Sequence, residues 1–68
     1  MITNAQILAL EIGREYYIET NRSPSAKATI TYIDNEDESP REWGIGFAGY
    51  WCIANQITDI RTPEEIEA

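Results

Sequence analysis

Thr3-Asn4-Ala5-Gln6-Ile7-Leu8-Ala9-Leu10-Glu11-Ile12-Gly13-Arg14-Glu15-Tyr16-Tyr17-Ile18-Glu19-Thr20 carries an apolar pattern at helical spacing on which the architecture turns. Thr3 followed three residues later by Gln6 is a capping-box pattern, and Ile2 ahead of it can staple onto Ile7 one turn in. A helix is therefore predicted from Asn4. Ala5, Leu8, Ala9, Ile12 and Tyr16 then fall within about 100° of one another, the width of a buried stripe. Asn21 and the Ser23-Pro24-Ser25 turn predict the end of that helix near Thr20.

On such a helix Glu11, Glu15 and Glu19 recur every four residues along one edge and repel one another by a few tenths of a kcal/mol per pair. Ile7, Leu10, Tyr17 and Ile18 overflow the stripe. Either a sheet wraps the helix widely, or Tyr17 and Ile18 belong to a contact surface.

Working outward, Ala28-Thr29-Ile30-Thr31-Tyr32-Ile33 has the β-branched and aromatic content of a strand, with Ile30 and Tyr32 alternating against Thr29, Thr31 and Ile33. Asp34-Asn35-Glu36-Asp37-Glu38-Ser39-Pro40 reads as a charged connecting loop. Trp43, Ile45 and Phe47 alternate with Glu42, Gly44 and Gly46, a second strand whose other face is bare. Ala48-Gly49 can turn Phe47 back into Tyr50 as a hairpin. Residues 50–60 fit helical spacing as well as strand composition, and strand is preferred. Thr62-Pro63-Glu64-Glu65 starts a short helical turn. The expected fold is thus α+β: one domain over residues 1–68, with an N-terminal helix packed on an antiparallel sheet of about three strands and a short C-terminal helical turn.

A chain of 68 residues supports a single core and buries about 60% of the surface its unfolded form exposes. It has one cysteine, Cys52, and no histidine, so neither an internal disulfide nor a Cys/His zinc site can form, and no Cys-His nucleophile can be assembled. The serines at 23, 25 and 39 lack the same base. Paired carboxylates need a cleft to shift their pKa values, and a domain this small offers little room for one. No enzymatic activity, cofactor or metal is expected. The chain lacks any run of roughly 18 apolar residues, and its start lacks a basic, apolar leader, which gives a cytoplasmic expectation with no membrane partner.

Two motifs compete with bland readings. Gly44-Ile45-Gly46-Phe47-Ala48-Gly49 matches the G-x-G-x-x-G fingerprint of dinucleotide sites, but only 19 residues follow it, too few for the crossover and second parallel strand such a site needs. Glycines in a twisted strand and a hairpin turn account for it. Asp34, Glu36 and Glu38 alternate as calcium-loop ligands do, yet Ser39 and Ile45 stand where that loop requires Gly and Glu.

Twelve acidic against five basic residues leave a net charge of −7, which repels phosphate backbones and favours a basic protein surface. Direct nucleic-acid binding is not expected. In length, acidity and lack of catalytic groups the whole chain resembles small phage-encoded inhibitors of the anti-CRISPR and DNA-mimic type. The resemblance rests on size and composition, without a motif match. It implies binding to a nucleic-acid-handling complex in the host cytoplasm and blocking of its basic groove. Candidate contact residues, read from the sequence itself, are Glu11, Glu15, Glu19, Asp34, Glu36, Asp37 and Glu38, with Tyr17 and Ile18. The alternative is an interaction module or subunit that self-associates or docks through its aromatic and apolar surface.

Overall fold

The computed structural model describes residues 2–67 and breaks the N-terminal stretch in two at Gly13. Helix α1 covers only Asn4–Leu8, and strand β1 covers Glu15–Thr20. Between them Gly13 takes a φ of +89°, which no right-handed helix accommodates. Past that break Glu15-Tyr16-Tyr17-Ile18-Glu19-Thr20 has strand composition, and Tyr16 and Ile18 are buried alternately with more exposed neighbours. The pairing reaches back into the turn, where the Gly13 amide donates to the Ile30 carbonyl at 2.7 Å and the Ile30 amide to the Arg14 carbonyl at 3.1 Å.

The remaining elements are β2 (Ser23–Asp34), a 3₁₀ turn (Pro40–Glu42), β3 (Gly44–Phe47), β4 (Tyr50–Ile53), a second 3₁₀ turn (Ala54–Gln56), β5 (Ile57–Arg61) and α2 (Pro63–Glu67). The strands form one five-stranded antiparallel sheet in the order β4-β3-β2-β1-β5. The expected helix on a three-stranded sheet is therefore replaced by a mostly β architecture with two short helices. β2 is the strand both halves share: residues 23–29 pair with β1, and residues 30–34 with β3. A bulge at Thr31 interrupts the pairing with β3, since Ile30 faces Phe47 while Tyr32 faces Gly46.

One face of the sheet carries the core. Tyr16 and Ile18 from β1, Ile30 from β2, Ile45 and Phe47 from β3 and Ile57 and Ile60 from β5 are buried there, closed over by Ile2, Ile7 and Ala54. Ile7, Ile18, Ile30, Ile45 and Ile57 are almost fully enclosed, each worth about 1.5 to 3 kcal/mol of transfer free energy. α1 is held by the predicted box: the Gln6 amide donates to Thr3 Oγ1 at 3.1 Å, and the Thr3 amide to Gln6 Oε1 at 2.8 Å. Ile2 and Ile7, the predicted staple, both reach the core. Leu8 and Ile12, placed on a buried stripe by helical spacing, are instead 61% and 62% exposed, because the helix stops before Ile12 and only Ile7 turns inward. Trp43 is half-buried, with its indole Nε1 donating to the Asp37 carbonyl at 2.7 Å.

The predicted hairpin is present: Phe47 pairs with Tyr50, and Gly49 has the φ of +100° that the turn requires. At the β1–β2 turn Thr20 Oγ1 accepts from the Arg22 and Ser23 amides at 3.2 and 3.1 Å. No helix among the described residues is long and apolar enough to cross a membrane.

Candidate functional site: the open end of the outer sheet face

The face of the sheet opposite the core is covered at one end and bare at the other. Over β1 and β2, α2 folds back so that Glu67 Oε1 accepts from Tyr17 Oη at 3.0 Å and from Lys27 Nζ at 3.2 Å. Lys27 Nζ also lies 5.3 Å from the Tyr17 ring centre and 3.9 Å from Glu15 Oε1. These bonds hold the Glu67 carboxyl below the ordinary carboxylate range and the Lys27 ammonium above the ordinary lysine value. The cap of α2 is the predicted one, with the Glu65 amide donating to Thr62 Oγ1 at 3.3 Å.

At the other end β3 presents glycines. Tyr32, Gly46 and Trp51 form one row across three strands, and Asp34, Gly44 and Ile53 the next. Because β3 contributes no side chain to these rows, a groove of about 430 Å³ opens between β2 and β4, lined by Tyr32, Asp34, Gly44, Gly46, Trp51 and the Phe47–Tyr50 pair. Phe47 and Tyr50 stack with ring centres 4.8 Å apart and close one end. Trp51 and Tyr32 stay 65% and 59% exposed. A Cβ placed on Gly46 would come within 3.0 Å of Tyr32 Cβ, and one on Gly44 within 3.5 Å of Asp34 Cβ and 3.8 Å of the Trp51 six-membered ring. The glycine motif is thus a strand and hairpin, and what approaches its glycines is aromatic.

Asp34 also borders a second concavity of about 320 Å³, formed with Glu36, Asp37 and Glu42. The loop is fixed by its own carboxylates: Asp34 Oδ1 accepts from the Glu36 amide at 3.3 Å and Asp37 Oδ1 from the Ser39 amide at 2.8 Å. Among the described residues no lysine or arginine pairs with Asp34, Glu36, Asp37, Glu38 or Glu42. Nor does any group of three or more side chains there have the arrangement of a metal site.

The other predicted contact residues fare differently. Glu11, Glu15 and Glu19 do not share a helix edge: Glu11 lies in the turn 3.8 Å from Arg14, Glu15 is beside Lys27, and Glu19 accepts from Thr58 Oγ1 at 2.7 Å. Ile18 is buried in the core and out of a partner's reach, and Tyr17 is engaged by Glu67. Tyr32, Glu42, Gly44, Gly46, Tyr50 and Trp51 were not singled out as contact residues by sequence. The one signal for them was the bare face implied by Gly44 and Gly46. Cys52 sits half-buried on the core side, where burial pushes its thiol pKa up and leaves it a poor nucleophile.

No family model, curated protein or solved structure matches this chain.

Proposed function

We propose that the protein is a non-catalytic binding protein that occupies a basic surface of a protein partner, with the acidic loop and the open aromatic groove as its contact face. The observation that carries this reading is the position of Asp34, which joins a groove walled by exposed aromatic rings to a dish of carboxylates that, among the described residues, have no lysine or arginine partner. Exposed aromatic area supplies contact energy, and unpaired carboxylates supply attraction and orientation. The absence of histidine from the sequence and the raised thiol pKa of Cys52 favour binding over catalysis. With a net charge of −7, the partner surface that gains most is one built to hold phosphates, so occupancy would exclude nucleic acid and act as inhibition. Glu11, Glu15 and Glu19 have no part in this reading, since each already has a local partner.

Self-association through the same groove is the second reading, favoured by the exposure of Trp51, Tyr32 and Tyr50. Salt separates the two with opposite signs. Binding of the protein to an immobilised arginine-rich peptide weakens as salt rises, because screening removes the attraction. Pairing of two chains of charge −7 strengthens instead, because screening removes the repulsion. Column mass and peptide retention measured at low and physiological salt therefore decide. A monomer retained at low salt supports the proposal, and an oligomer that grows with salt, with no peptide retention, rejects it.

A further inference from the structure

We infer that the notch over Gly44, between the Trp51 indole and the Asp34 side chain, seats one arginine side chain of the partner. The inference rests on the binding role proposed above and names the chemical group that the groove takes.

Three observations converge on one point. A single carbon placed on Gly44 contacts Asp34 Cβ at 3.5 Å and the Trp51 ring carbons at 3.8 Å, so any group resting there touches the indole and the stem of an acidic side chain whose Oδ1 accepts from the Glu36 amide. The floor is backbone on two successive outward positions, Gly44 and Gly46, which leaves a slot rather than a closed cage. The walls belong to strands on either side of β3, and because one carbon on Gly44 reaches both, Asp34 Cβ and the Trp51 ring carbons stand no more than about 7 Å apart there, the width of one planar group. A planar cation is the group that uses all of this. Guanidinium stacks on an indole face and is less strongly hydrated than ammonium, while its edge donors can meet a carboxylate in a fork. A compact lysine ammonium gains the charge term without the stack. Nucleobases would stack but must approach the dish of Asp34, Glu36, Asp37 and Glu42 with their phosphates.

The test compares three short capped peptides, Gly-Arg-Gly, Gly-Lys-Gly and Gly-citrulline-Gly, citrulline being the uncharged isostere of arginine. Binding is followed by NMR at the backbone amides of positions 44 and 34, which are present in every variant. The arginine peptide should bind about two- to fivefold tighter than the lysine peptide, the range expected of one exposed cation–π contact, and the citrulline peptide should not bind measurably. Trp51→Ala should remove the preference for arginine over lysine. Gly44→Ala, whose methyl group meets only ordinary contacts, should weaken the arginine peptide while the spectrum elsewhere stays that of the parent. Equal affinities for arginine and lysine, or an arginine preference that survives both substitutions, overturns the notch. If shifts then fall only in residues 35–42, the notch is wrong and the acidic binding face stands. If none of the peptides nor a longer arginine-rich peptide binds, the inference and the proposed function fail together.

Discussion

The two ends of the outer sheet face are built from similar residues and end in opposite states. Over β1 and β2, Tyr17, Glu15 and Lys27 are tied together and to Glu67 of the C-terminal turn, so the aromatic ring and the charges satisfy one another. Over β3 and β4, Tyr32, Trp51 and Asp34 surround two glycines, and no helix covers them. What differs is the middle strand. β1 carries a side chain at every outward position, whereas β3 leaves a gap that its neighbours cannot fill. The aromatic ring at the covered end is engaged by a cation and a carboxylate, and the rings at the open end stand exposed beside a glycine floor.

The two ends would cease to differ if the aromatic wall were part of the core. Ile45→Ala, one position from the floor glycines but on the buried face, should cost about 2 to 5 kcal/mol in chemical denaturation. Trp51→Ala, equally close but outward, should stay within about 0.5 kcal/mol of the parent, as surface changes do. Similar losses for both would make Trp51 a stability residue and empty the groove of meaning.

Next in size is the break that created β1. Gly13→Ala places a methyl group at a φ of +89° and should cost about 1 to 2 kcal/mol, although a Cβ there meets no neighbour within 4 Å. Leu8→Ala and Ile12→Ala should each cost much less than the several kcal/mol a buried stripe demands, because both residues are exposed. Melting of Leu8→Ala as low as Ile45→Ala would restore the long helix.

The smallest effect belongs to the covered end. Glu67 has a depressed pKa, so its contribution to docking α2 is full above the ordinary carboxylate range and is lost as pH falls through the lowered value. Lys27 has a raised pKa, so its contribution is full below the ordinary lysine value and is lost as pH rises through the raised one. The Ile66 amide should therefore change shift at both pH extremes and hold steady between, with Tyr17→Phe narrowing that plateau while global unfolding barely moves. An Ile66 amide indifferent to pH would mean that α2 is not held by these bonds.

Local features were legible in the sequence and the fold class was not, for physical reasons. Both capping boxes and the Ala48-Gly49 hairpin depend on residues a few positions apart and are present, and Ile2 and Ile7 both lie in the core. The long helix failed because Ala5, Leu8, Ala9, Ile12 and Tyr16 match a period of 3.6 by coincidence. Tyr16 is buried for the strand's period of two, and the glycine at 13 with the β-branched and aromatic run behind it was the stronger signal. Tyr32 was assigned to the face of Ile30 by alternation, and the bulge at Thr31 flips it outward. The acids of the 34–38 loop were readable as a cluster. Their junction with Trp51 was not, because it depends on the register of three strands.

Under the proposed function a basic partner is held by the open end of the sheet and not by the overall charge. Glu36→Lys and Glu15→Lys change the net charge equally, one at the acidic dish and the other beside Lys27 at the covered end. Affinity of each for the same immobilised arginine-rich peptide, at a salt concentration where the parent binds, isolates place from charge. The account predicts that Glu36→Lys weakens binding by about tenfold, the size of a lost charge contact of some 1.4 kcal/mol, and that Glu15→Lys weakens it several-fold less. Equal losses would show that only net charge matters, and a larger loss for Glu15→Lys would move the binding face to the other end of the sheet.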